Sequence, residues 1–300
     1  MKNSFLLIFC LSAFFACRKV DKVSSYNNDS TIDRQVKSIV TNGIGYTDSA
    51  NYSYDLQRRL VAFSNIHTDS LAGNTLAKQT NRYQFSYLGT EQTPYAFVYI
   101  NDTLVQRHKV WYNGLLPILD SCTNETPTGI MLSTQYTDII YDSGYIAATT
   151  TVPAIRDRLT YTTYATTSPN SNAYGLASTV ELKYRARRGL GYVYGLLDSS
   201  SNTIYNISNP NQSVTYTRVA SFMSFDNPLY FPYIANVLAY DGYPFFNRFL
   251  PVSEIHRVSS VSAARNKFFV YTFDGYARPT QIVTLDNDTK LVLAVSTWRY

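Results

Sequence analysis

The chain has 300 residues, 15% of them aromatic and 16% charged, with a formal net charge of +5. That charge is too small to argue for a nucleic-acid partner. Three cysteines in so long a chain exclude a disulfide framework, so stability has to come from a buried core, which this length can build.

The first element in chain order is an apolar run, Phe5 to Ala16, behind Lys2. It is too short to span a bilayer as a helix and has the layout of a secretory signal peptide. Cys17 follows the small Ala16, and Arg18, Lys19, Asp21 and Lys22 come at once after it. These residues resemble a bacterial lipoprotein signal, with Phe14 in place of the usual aliphatic residue three positions before the cysteine. The resemblance implies cleavage after residue 16, lipid on Cys17, and attachment to the outer membrane of a Gram-negative bacterium on a face left open. An anchor of two or three acyl chains is effectively permanent, since each buried methylene contributes about 0.8 kcal/mol. Residues 17 to 33 then form the lipidated cysteine and a polar tether too poor in apolar surface to fold alone. Cys122 is left without an internal partner.

From residue 34 onward, period-two alternation predicts strands. Tyr83, Phe85 and Tyr87 share a face, as do Phe269, Tyr271 and Phe273, and Leu291, Leu293 and Val295. Val214, Tyr216, Arg218 and Ala220 share another. The 27 tyrosines and only four glutamates suit strands better than helices. An aromatic followed by Asp or Asn punctuates the strands: Tyr54-Asp55, Tyr112-Asn113, Tyr141-Asp142, Phe225-Asp226, Tyr240-Asp241 and Phe273-Asp274. Asp and Asn bond their own backbone two residues on, and a nearby Gly supplies positive φ, so the chain reverses there. The first intervals between these pairs, 58, 29 and 84 residues, are near multiples of 29, a degenerate hairpin repeat with one insertion.

Two stretches, Tyr52-Ser53-Tyr54-Asp55-Leu56-Gln57-Arg58-Arg59-Leu60 and Tyr271-Thr272-Phe273-Asp274-Gly275-Tyr276-Ala277-Arg278-Pro279, resemble tyrosine-aspartate (YD) repeats. With Phe225-Asp226-Asn227-Pro228, they make residues 34 to 300 similar to Bacteroidota lipoproteins carrying a domain of unknown function with a porin-like fold. The first copy departs from the pattern, having Gln57-Arg58 where glycine is expected. That resemblance implies an architecture and no reaction.

Residues 222 to 249 hold ten aromatics, and with Pro228, Pro232, Pro244 and Pro251 they mark an insertion over 222–251. Prolines at this density exclude a central strand. Pro232 to Tyr240 is a candidate short helix stopped by Gly242. The insertion reads first as a plug for one end of a curled sheet. Its alternative role is an aromatic platform for a glycan, with Tyr230, Tyr233, Tyr240, Tyr243 and Phe246 as the ligand-contacting side chains.

No catalytic motif stands out. His67, His108 and His256 lack metal-ligand spacing and read as surface or satisfied histidines. Cys122 reads as a small buried hydrophobe. Asp286-Asn287-Asp288 lacks the later glycine and glutamate of a calcium loop and reads as a hairpin turn. Lys183, Arg185, Arg187 and Arg188 read as a solvated strand end. Asp29-Ser30-Thr31, Asp48-Ser49-Ala50, Asp69-Ser70-Leu71 and Asp102-Thr103-Leu104 resemble Bacteroidota O-glycosylation sites.

These readings combine into one all-β domain: an antiparallel meander of about 16 to 20 strands, curled into a closed or nearly closed barrel. The expected role is a non-catalytic binding or scaffold module for a glycan, peptide or protein partner, with no cofactor, metal or nucleic acid. The alternatives are a carbohydrate hydrolase using paired carboxylates, which nothing in the sequence selects, and a transmembrane β-barrel. The terminal Trp298-Arg299-Tyr300 favours that last reading. Strands rich in Thr, Ser and Asn on both faces count against it.

Overall fold

The computed structural model describes residues 35–71, 74–89, 92–113, 116–143, 155–166, 168, 171, 173–185, 196–207, 209–229, 249–259 and 261–300. Cys17, the tether, and Tyr230, Tyr233, Tyr240, Tyr243 and Phe246 lie outside them.

Sixteen antiparallel strands follow one another: β1 (Ser38–Gly43), β2 (Tyr46–Tyr54), β3 (Leu60–Leu71), β4 (Asn74–Leu88), β5 (Gln92–Ile100), β6 (Thr103–Asn113), β7 (Leu116–Glu125), β8 (Met131–Ser143), β9 (Ile155–Thr166), β10 (Tyr174–Arg185), β11 (Leu196–Asn206), β12 (Asn209–Asp226), β13 (Phe249–Val258), β14 (Val261–Phe273), β15 (Pro279–Asp286) and β16 (Val292–Arg299). Each pairs with its sequence neighbours, and β1 pairs with β16 from Ser38↔Arg299 to Gly43↔Ala294, so the meander closes into a barrel. Closure leaves no free sheet edge. The stretch expected as an insertion begins and ends in strand: Phe222 to Asp226 belong to β12, and Phe249 to Pro251 to β13.

The two ends of the barrel differ. One, the hairpin end, carries the short connections from each odd strand to the next even strand, such as Ile44-Gly45 and Asn101-Asp102. The other, the termini end, carries the even-to-odd connections together with residues 35–37 and Tyr300. Five of the six described aromatic–Asx pairs sit at the termini end: Tyr54, Tyr112, Phe225 and Phe273 lie at the ends of β2, β6, β12 and β14, and Tyr141-Asp142 comes just before the end of β8; the sixth, Tyr205-Asn206, ends β11 at the hairpin end.

The two YD-like stretches build the same turn. Asp55 Oδ1 accepts from the backbone N–H of Gln57 and Arg59, both at 2.9 Å, and its Oδ2 pairs with Arg59 Nε at 2.7 Å. Asp274 repeats this with Tyr276, Arg278 and Arg278 Nε at 2.9, 3.0 and 2.7 Å. The carboxylate thus satisfies the turn's own donors. Arg58 and Ala277 take positive φ, 63° and 59°, the position where glycine would be unstrained.

A second device recurs beside these turns. Tyr54, Tyr87, Tyr271 and Tyr300 each donate their phenol O–H to the carbonyl of Val36, Leu60, Pro251 and Pro279, at 3.0, 2.8, 2.8 and 3.1 Å. Tyr112 Oη accepts from the Thr93 N–H at 3.0 Å. Each tyrosine lies at or near the end of an even strand, or just past it, and reaches back to the start of the odd strand before it. Among the described residues, five of the eight hairpins are latched in this way. Register shifts at Ser53/Tyr54 and Trp111/Tyr112 fall beside two latches, as expected where a bulge re-aims a side chain.

All five latch tyrosines pack against one apolar cluster that includes Leu60, Phe85, Val110, Leu159, Tyr161 and Trp298. These residues lie on the inward rows toward the termini end. Leu229 joins the cluster because the Asn227 side chain turns the chain there, accepting from Leu229 N–H at 3.0 Å. Tyr83, Phe85 and Tyr87 face inward as the alternation implies.

The last strand needs a correction. Leu291 is 63% exposed and closes the turn, its carbonyl accepting from Asp286 N–H at 2.9 Å. The inward row of β16 is Ala294, Ser296 and Trp298, and Val295 lies on the opposite face. Leu293 also lines the cavity, because the register shift opposite Thr284 and Leu285 breaks the alternation between Val292 and Ala294. The Asp286 stretch is a hairpin turn: Asp286 Oδ1 accepts from the N–H groups of Asp288 and Thr289.

Candidate functional site

A cavity of about 1500 Å³ runs down the interior from Ile44 and Val258 at the hairpin end to Leu229, Leu250 and Trp298 toward the termini end. Alternation on β1–β4 and β10–β16 points one face of each strand into it. The lining mixes two chemistries. Tyr52, Phe63, Tyr83, Phe269 and Tyr271 contribute aromatic surface, and Asp48, Asn65, Asn81, Asn202, Arg218 and His256 contribute polar groups. Phe63 and Tyr83, direct cross-strand partners, stack with centroids 4.4 Å apart and planes 11° apart.

All three histidines face inward and each meets a carboxylate. His67 Nδ1 lies 2.6 Å from Asp48 Oδ1 and its Nε2 lies 3.1 Å from Asp69 Oδ1, with Tyr46 stacked on the ring at 5.7 Å. With acceptors at both nitrogens, the imidazolium serves both, and the Asp48 bond raises the His67 pKa above its ordinary value.

His108 Nδ1 lies 2.8 Å from Asp120 Oδ2, and Cys122 is its direct cross-strand partner. All three are buried, at 9%, 5% and 4% exposure. Burial by itself pushes the imidazolium pKa down. The Asp120 hydrogen bond and the adjacent Cys122 sulfur outweigh it and raise the pKa to about 10. Cys122 is thus buried as expected, though beside a charged group.

Glu254 Oε2 lies 2.8 Å from His256 Nε2 and 4.0 Å from Arg218 Nε. Burial alone would raise its pKa. The His256 hydrogen bond and the charges of Arg218 and Lys267 reverse this and hold it low. Glu254 is therefore an ionised acceptor near neutral pH.

The sequence reading treated the histidines as satisfied and missed their partners. The signal was present: His67-Thr68-Asp69 and Glu254-Ile255-His256 place an acid and an imidazole two residues apart, hence on one face of a strand. Asp48 and Asp120 arrive only through cross-strand register, which no local spacing reveals. The basic cluster is described in part: Lys183 Nζ lies 2.9 Å from Glu181 on the outer face. Ser49 stands on the outward row of β2 and Ser70 on that of β3, both opposite to the cavity.

No protein-family description matches the chain, and no curated protein matches it. Among solved structures, a porin-like protein from Bacteroides vulgatus matches at 12% identity over 89% of this chain and 98% of that chain, with a TM-score of 0.46. A porin-like protein from Bacteroides uniformis matches at 11% identity over 88% and 96%, also with a TM-score of 0.46. The barrel architecture stands on this chain's own strand pairing.

Proposed function

We propose that the protein is a non-catalytic binding module of the cell envelope, tethered through lipid on Cys17, that takes its ligand into the interior cavity. The observation that carries this is the lining itself: flat aromatic faces alternate with amide, carboxylate and guanidinium groups inside one cavity large enough for an oligosaccharide. The outer wall argues against a lipid-spanning barrel. Arg107, Lys109, Glu181 and Lys183 stand on outward rows, and a single Arg or Lys facing the bilayer midplane costs about 2–4 kcal/mol. A glycan array followed by calorimetry tests the reading. Ala50→Trp fills the cavity and should abolish binding, whereas Ser49→Trp on the outward row should leave it intact. A ligand that binds both variants alike would refute the cavity as its site. For the anchor, Cys17→Ala should release the protein from the membrane fraction.

A further inference from the structure

One wall of the cavity has a charge pattern that the binding reading does not by itself require. Arg218 on β12, His256 on β13 and Arg265 on β14 form one row: Arg218 is the direct partner of His256, and His256 of Arg265. All three line the cavity. The next row inward is Ala220, Glu254, Lys267 and Asp286, again in direct register. Asp286 spends Oδ1 on its own turn. Glu254 lies against His256 at 2.8 Å and Arg218 at 4.0 Å, one carboxylate shared by the row above it.

Arg218 and Arg265 flank His256 in direct register across three strands, so two guanidinium groups face the same stretch of cavity wall, where one anion can be held between them. Guanidinium groups also match planar oxyanions through paired N–H donors. Phe269 and Tyr271 follow Arg265 and Lys267 along the same face of β14, placing an aromatic surface immediately inward of the cations.

We infer that this row is an oxyanion subsite and that the cavity's ligand is an acidic saccharide, its carboxylate, sulfate or phosphate on Arg218 and Arg265 and its ring against Phe269. This inference rests on the cavity being the binding site.

The probes are trigalacturonic acid, its methyl ester, a sulfated heparin hexasaccharide and a phosphorylated maltotriose, measured by calorimetry at low and physiological salt. At least one acidic probe should bind, weaken about tenfold or more in Arg265→Gln and in Arg218→Gln, and weaken with salt. The outward Arg299→Gln should bind as wild type. Which acidic probe binds identifies the oxyanion. Preference for trigalacturonic acid over its ester supports a carboxylate; equal binding of the two overturns that arm. Failure of all three acidic probes to bind, or binding indifferent to both substitutions, overturns the subsite. Binding of neutral glycans that Ala50→Trp abolishes, with no response to Arg265→Gln, leaves the cavity as a binding site and removes only the oxyanion inference. Arg265 is exposed, so its variant keeps the fold, which circular dichroism checks directly.

Discussion

The two halves of the barrel interior use the same alternating strands for opposite ends. Toward the termini, inward side chains are large and apolar, latch tyrosines close the hairpins, and polar groups there are buried in pairs. Toward the hairpins, Asn, Asp, Arg, Ser and His mix with aromatic side chains such as Tyr46 and Tyr216 around open space. The difference teaches that a barrel of this girth, too wide for side chains to fill throughout, concentrates its core at one end and leaves the other end available for a ligand.

The sharpest test compares truncations to alanine in the two halves. Tyr161 is 1% exposed in the apolar cluster, and Tyr161→Ala should cost about 3–5 kcal/mol in denaturant unfolding. Asn65→Ala on the cavity wall should stay within about 0.5 kcal/mol. Comparable losses at both sites would erase the distinction between core and cavity.

The ion pairs extend the contrast. Asp120→Ala strands a buried imidazolium and should cost about 3 kcal/mol or more. Asp69→Ala, beside a His67 side chain that is 40% exposed, should cost under about 1 kcal/mol. The pH dependence has a definite sign. His108 binds its proton more tightly folded than unfolded, so its contribution is complete below about pH 6.5, the unfolded pKa, and is lost as pH rises toward about 10. Wild-type stability should therefore fall between pH 7 and 9.5, and His108→Gln should flatten that fall. A wild-type profile rising over this range would show that the buried pair is neutral.

Smaller effects test the latches and turns. Tyr87→Phe removes the donor to the Leu60 carbonyl and should cost about 1 kcal/mol. Arg58→Gly relieves a positive φ and should gain up to about 1 kcal/mol. A melting-temperature series on both variants reads these changes.

The architecture was legible because its signals are local. Tyr83-x-Phe85-x-Tyr87 states which face is inward, and Tyr54-Asp55 and Phe273-Asp274 state where even strands end. Leu291-x-Leu293-x-Val295 misled, because a register shift near the start of β16 breaks the alternation: Leu291 closes the turn, Leu293 lines the cavity and Val295 faces out. The site was less legible for the same geometric reason. Arg218, His256 and Arg265 are dispersed in sequence and meet only through the register of two hairpins. Residues such as Asp120 become partners of a histidine only when neighbouring strands are aligned.

The seam between β1 and β16 has a consequence for how the molecule is made. Every other strand pair joins sequence neighbours, but Ser38↔Arg299 joins the first strand to the sixteenth and can form only after β16 has been synthesised. Closing that seam should be the slow, entropically demanding step of folding. It also means the ring has no inherent starting point. Lys37 N–H donates to the Arg299 carbonyl at 2.8 Å, so a short splice there, with new termini cut at Thr128-Gly129, should yield a circular permutant with the same wall.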